Sequence, residues 1–187
     1  MEKRMNEKEF WDFIESAKIN NESDASNISD MLEELGYEKA VDFALHFENI
    51  LDVLDTSTNA YAFGALIKGS SCTDDGWLYF RSWLIYQGKD IVTKAMKDPD
   101  ALMDVYDKYK TRKKIFGEYD TEDYLSIWFN CFDEEIMDDI DNSTIYGQET
   151  FCDDSNEIDW EVTTTELYFK EHMPRLWEKF SKGYKFS

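Results

Sequence analysis

Apolar residues recur at spacings of three and four through most of the chain, the periodicity of helices that pack on one side. Phe10, Trp11, Ile14 and Ala17 form the first such face. Asn6 stands where it caps that helix, and Glu9, three residues on, completes a capping box. A polar run, Asn20–Asp24, ends it. A second helix carries Ile28, Met31, Leu32 and Leu35 inward, and Gly36 follows where a left-handed C-cap is wanted. From Glu38 to about Leu54 the apolar arc widens to Val41, Ala44, Leu45, Phe47, Leu51 and Leu54. So broad an arc touches more than one neighbour, and this third helix is expected to be central.

Thr56–Asn59 breaks the pattern and offers caps for a short helix through Tyr61, Ala62, Ala65 and Leu66. After a loop at Gly69–Thr73, either Thr73 or Asp74 caps a helix that ends near Gln87-Gly88. Trp77, Phe80, Trp83 and Leu84 give it a heavy aromatic face. A short helix runs from Gly88 to about Lys97, and Asp98-Pro99 marks a fresh start, with aspartate as cap and proline first in the helix. Thr121 caps a further helix through Tyr124, Leu125, Trp128, Phe132 and Ile136. Residues 141–160 have no period and hold Gly147, which reads as a loop insertion with room for short strands between 141 and 162. Two helical pieces flank Pro174. The expected fold is all-α or nearly so, one compact multi-helix domain over residues 1–187. Two prolines and eight glycines in 187 residues leave such helices uninterrupted.

Composition adds a core and removes several functions. Hydrophobic residues make up 42% and aromatics 16%, enough for a packed interior rather than a disordered chain. Against 20 Lys and Arg stand 41 Asp and Glu, a net charge of −21 that disfavours nucleic acid or an anionic bilayer as partner. No apolar run approaches a membrane span, and the charged N-terminal stretch lacks an apolar signal core. Cys72, Cys131 and Cys152 are odd in number and far apart, as reduced thiols of a cytoplasmic protein are.

The charge is also uneven. From Ile115 to Phe169 there are 17 acidic residues and no Lys or Arg, directly after the basic cluster Lys108, Lys110, Arg112, Lys113 and Lys114. Asp133, Glu134, Asp138, Asp139 and Asp141 are the densest part of this acidic segment. Their order does not match a calcium loop, which alternates its ligands around a central glycine.

Chemistry of other kinds has few candidates. Asp74 and Asp75 form a carboxylate pair able to hold a cation or move protons, but two acids in the first turn of a helix also serve its free N–H groups and dipole. Arg81 is spaced to pair with either acid or with an anionic ligand, and Gln87 either binds a backbone carbonyl or faces a pocket. Trp77, Phe80, Trp83 and Tyr86 suit a core better than an aromatic cage. His46 and His172 stand alone, with no C-x-x-C or H-x-x-x-H spacing, so no metal site is expected. There is no serine elbow, P-loop or dinucleotide fingerprint, hence no assigned catalytic residue and no cofactor.

Several segments together carry a resemblance: Phe10-Trp-Asp-Phe-Ile14, Cys72-Thr-Asp-Asp-Gly-Trp77, Tyr79-Phe-Arg-Ser-Trp-Leu-Ile85 with Gln87-Gly88, and Asp98-Pro-Asp-Ala-Leu102. In this order they resemble a bacterial family, domain-of-unknown-function family forty-two forty. Its members show F-W-x-x-I, S-D-D-G-F, F-R-x-W-L-I-x-Q-G and D-P-D-S-L. The closing Pro174-Arg-Leu-Trp177 and Phe180 also fit. Thr73 stands in place of serine, Trp77 of phenylalanine, and Lys89 where arginine is common. The resemblance implies a family-like core over residues 6–110 and no activity.

Two functional expectations follow. The first is an acidic cytoplasmic binding protein that neutralises a basic partner such as a nuclease toxin, in the manner of an immunity protein or antitoxin. The alternative is a ligand-sensing or enzymatic domain with a pocket around Asp74, Asp75, Arg81 and Gln87.

Overall fold

A computed structural model describes residues 4–19, 25–55, 74–104, 127 and 166–183. In chain order, α1 spans Glu7–Ser16, α2 Ala25–Glu34, α3 Tyr37–Asp55, α4 Asp74–Tyr86 and α5 Lys89–Lys97. A 3-10 turn at Pro99–Ala101 continues helically to Asp104. The C-terminal pair is α6, Glu166–His172, and α7, Pro174–Phe180, followed by a 3-10 turn at Ser181–Gly183. Among the described residues there is no sheet, and the fold is all-α. The short helix expected through Tyr61 and the stretch 141–162 lie outside those residues. So does the helix expected from Thr121, except Ile127, which is helical and buried.

The first helix starts as its sequence dictates. Asn6 accepts the Glu9 N–H at 3.1 Å, while the Glu9 carboxylate accepts the Asn6 N–H at 2.9 Å. That reciprocal cap satisfies two donors that an α-helix start leaves open. The anticipated face of Phe10, Trp11, Ile14 and Ala17 is buried, and Phe13 joins it.

A line of ring contacts then crosses three helices. Phe10 and Phe13 of α1 meet Phe43 of α3 with centroids 5.0 and 5.2 Å apart. Phe43 reaches Phe47 at 6.2 Å, and Phe47 meets Tyr86 of α4 at 5.2 Å. Tilted and edge contacts of this kind suit the ring quadrupoles. On α3, Val41, Ala44, Leu45, Phe47, Leu51 and Leu54 are all buried, so it is the central helix its apolar arc predicts. Gly36, with φ +78°, turns the chain from α2 into α3 in a conformation side chains seldom adopt.

Two carboxylates lie within this core. Asp42 of α3 accepts hydrogen bonds from the Met5 N–H and the Arg4 Nε, both at 2.6 Å, and so ties the chain ahead of α1 onto the central helix. A buried charge without such partners is costly. Asp100, in the 3-10 turn, accepts the N–H groups of Arg175 at 3.1 Å and Leu176 at 2.9 Å. Asp98 caps that same turn through the Asp100 N–H at 3.0 Å, as the Asp-Pro start implies.

Candidate functional site

The residues singled out for chemistry lie on α4 and at its end. Phe80, Trp83, Leu84, Ile85 and Tyr86 are buried, so this helix is packed between its neighbours rather than laid over them. Phe80 and Trp83 tilt against one another with centroids 5.9 Å apart. Phe80, Trp83 and Tyr86 therefore build core, not an open cage.

Arg81 projects from α4 to the last turns of α3. Its Nη1 donates to the Leu51 carbonyl at 2.8 Å and pairs with the Asp55 carboxylate at 3.1 Å, with only 8% of the residue exposed. Leu51 stands one turn before the end of α3, so the guanidinium adds a bond to a carbonyl already within the helix ladder and meets the negative end of the dipole. Burial pulls the Arg81 guanidinium below its ordinary range, while Asp55, Asp52 and Glu48 act to hold its proton. Loss of solvent raises the Asp52 carboxyl, with Arg81 opposing the rise and Asp55 adding to it. The cluster is an ionic joint between α3 and α4.

Gln87 is 6% exposed, and its Nε2 donates to the Trp83 carbonyl one turn back at 3.1 Å. Its own carbonyl accepts the Lys18 ammonium at 2.7 Å, and Lys18 also pairs with Glu15 at 2.6 Å. Gly88 follows with φ 104° and ψ 166°, a region essentially reserved for glycine. A Cβ placed there would lie 2.0 Å from the Glu15 carboxylate and 2.8 Å from the Lys18 ammonium. The Gln-Gly pair thus ends α4, begins α5 and receives the end of α1. Lys89 adds a pair to Glu7 at 2.7 Å.

Of the four residues proposed from sequence as a ligand site, Arg81 and Gln87 reach different parts of the molecule. One supports the end of α3, and the other closes α4 beside α1. The backbone of Asp74 and Asp75 forms the first turn of α4, where acids favour the helix dipole. Their side chains lie outside the described residues, as do Asp133, Glu134, Asp138, Asp139 and Asp141. No three His, Cys, Asp or Glu side chains among the described residues gather closely enough to hold a metal ion. No described helix is long and apolar enough to cross a membrane.

Sequence reading missed Asp42 and Asp100, the two buried acids. A signal existed for each. Asp42 interrupts the apolar arc of α3 between Val41 and Phe43, and Asp100 follows the proline of an Asp-Pro-Asp segment.

The molecule is defined by an aromatic helical core in which Arg81, Gln87, Gly88 and Asp100 serve as joints. The chain belongs to the family described as Protein of unknown function (DUF4240), whose model matches residues 5–134. The match takes in the F-W-x-x-I start, the aromatic helix and the Asp-Pro-Asp turn, and reaches into the acidic segment. No curated protein and no solved structure matches the chain.

Proposed function

We propose that this protein is a binding protein whose acidic segment, Ile115 to Phe169, receives a basic partner protein. The observation that carries the reading is the run of 17 acidic residues without a Lys or Arg between them. Ordinary soluble surfaces mix both signs, because adjacent like charges repel and opposite ones attract. Concentrating one sign costs stability through self-repulsion, and it accelerates encounter with a surface of the opposite sign. A nuclease presents such a surface, since it must hold phosphates, and an immunity protein or antitoxin would meet it with carboxylates.

The roles of Arg81 and Gln87 support binding over catalysis. Both spend hydrogen bonds on backbone carbonyls of the core and stand at separate joints. A cytoplasmic location and a bacterial source accord with the same reading.

The test is capture of partners from the native cell by the intact protein and by a variant carrying Asp133→Asn, Glu134→Gln, Asp138→Asn and Asp139→Asn. A basic protein retained by the first and lost by the second supports the proposal. Identical partners, or none that is basic, would reduce the acidic segment to a solubility feature.

A further inference from the structure

The family match ends at residue 134, and the C-terminal helices α6 and α7 lie beyond it. Each has seven residues, well short of the roughly 12–15 at which an isolated helix becomes even marginal in water. Their helicity therefore has to come from packing. The start of α7 depends on the rest of the chain as well. Met173 at the N-cap position supplies no side-chain cap, and Pro174, first in the helix, has no N–H. The next two donors, of Arg175 and Leu176, go to Asp100, one to each carboxylate oxygen. A buried acid from inside the family match thus caps a helix that stands outside it.

The apolar side chains make the same connection. Phe169 of α6, Met173 between the helices, and Leu176 and Phe180 of α7 are buried in one cluster with Phe10 of α1, Phe43 of α3 and Phe80 of α4. Leu102 and Met103, just past the Asp-Pro-Asp turn, belong to it too. Tyr168 and Trp177 are partly buried against that cluster. A chain stopped at residue 134 would lose four buried apolar side chains from this core and the two donors that Asp100 accepts.

We infer that α6 and α7 belong to the same cooperative folding unit as α1, α3 and α4, so that the domain matched to residue 134 is completed only by residues 166–180. The two short helices do not form without the core, and the core does not keep its stability without them. Nearly all of the acidic run therefore stands, in sequence, between two parts of one folding unit rather than after it. The inference does not depend on what that run binds.

The test is native-state hydrogen exchange on the full chain, read by peptide across low denaturant concentrations, which separates local openings from the global one. The slowest amides of 166–180, α1 and α3 are expected to share one opening, with equal denaturant dependence. Leu176→Ala removes a fully buried side chain from α7 and should speed exchange of all three alike, by roughly a hundredfold. A separate opening of 166–180, with a smaller denaturant dependence than α1 and α3 in the unaltered protein, would overturn the inference whether or not the variant folds. So would a folded Leu176→Ala in which only the C-terminal peptides exchange faster.

Discussion

The carboxylate of Asp100 accepts the backbone N–H of Leu176 at 2.9 Å, across 76 positions of sequence. Two short motifs, Asp98-Pro-Asp100 and Pro174-Arg-Leu-Trp177, are therefore halves of one joint. Each is explained by the other, since the proline removes one donor and the aspartate answers the next two.

A contrast between neighbouring acids measures that joint. Asp100 is 6% exposed, whereas Asp104 pairs with Arg175 in solvent. Asp100→Ala should lower stability by about 1.5–3 kcal/mol, and Asp104→Asn by no more than about 1 kcal/mol. Urea midpoints of the two variants give the comparison, and equal losses would show that Asp100 has no special role.

Two glycines with positive φ separate strain from crowding. Gly36 has open space where a Cβ would stand, so Gly36→Ala carries backbone strain alone, about 1 kcal/mol. Gly88→Ala adds contact with Glu15 and Lys18 to a conformation essentially reserved for glycine, and should cost about 2–3 kcal/mol. Thermal or urea denaturation resolves the difference. A smaller loss at Gly88 than at Gly36 would contradict the close approach of α1.

The ionic joint between α3 and α4 gives a pH signature. Asp52 has its carboxyl raised above the ordinary value of 3.8, chiefly by loss of solvent. Its charged form is thus disfavoured by folding. The native state suffers no such penalty while the group is protonated at low pH, and acquires it as pH rises through the raised value. Because Asp52 is still exposed to solvent, Asp52→Asn should raise the urea midpoint at pH 7 only slightly, with the gain disappearing as pH falls below the carboxylate range. A gain that persists at pH 3, or a loss at pH 7, would refute this account of Asp52.

Packing makes a fourth claim. Phe80 is fully buried against Trp83 at the centre of the aromatic helix. Phe80→Ala should cost about 3–5 kcal/mol. Near-normal thermal stability would place α4 at the periphery.

Helical spacing made most of the described fold legible, because a face such as Phe10, Trp11 and Ile14 reports burial directly in its period. Caps were equally readable where donor and acceptor stand three residues apart, as at Asn6 and Glu9. Long-range polar joints were not. Arg81 invited pairing with the acids one or two turns before it, whose side chains lie outside the described residues, and no local rule points to Leu51 and Asp55 of another helix. Asp100 was hidden for the same reason, since its two donors lie in a helix reached only after the acidic segment. Gln87 was legible as one of two alternatives, and the bond to Trp83 accords with the backbone-binding one. The acidic segment is conspicuous in charge alone, because charge needs no partner in the sequence to be counted.

The central claim is that Asp133, Glu134, Asp138 and Asp139 steer a basic protein onto the acidic segment. Its most direct measurement is the association rate with the basic protein captured from the cell, followed across salt concentration for the unaltered protein and the four-site variant. Steering by exposed charge predicts a rate that falls steeply as salt passes physiological strength, where the Debye length is about 8 Å. The variant should associate more slowly and respond less to salt, with dissociation little changed. Equal rates and equal salt dependence for the two proteins would contradict the claim.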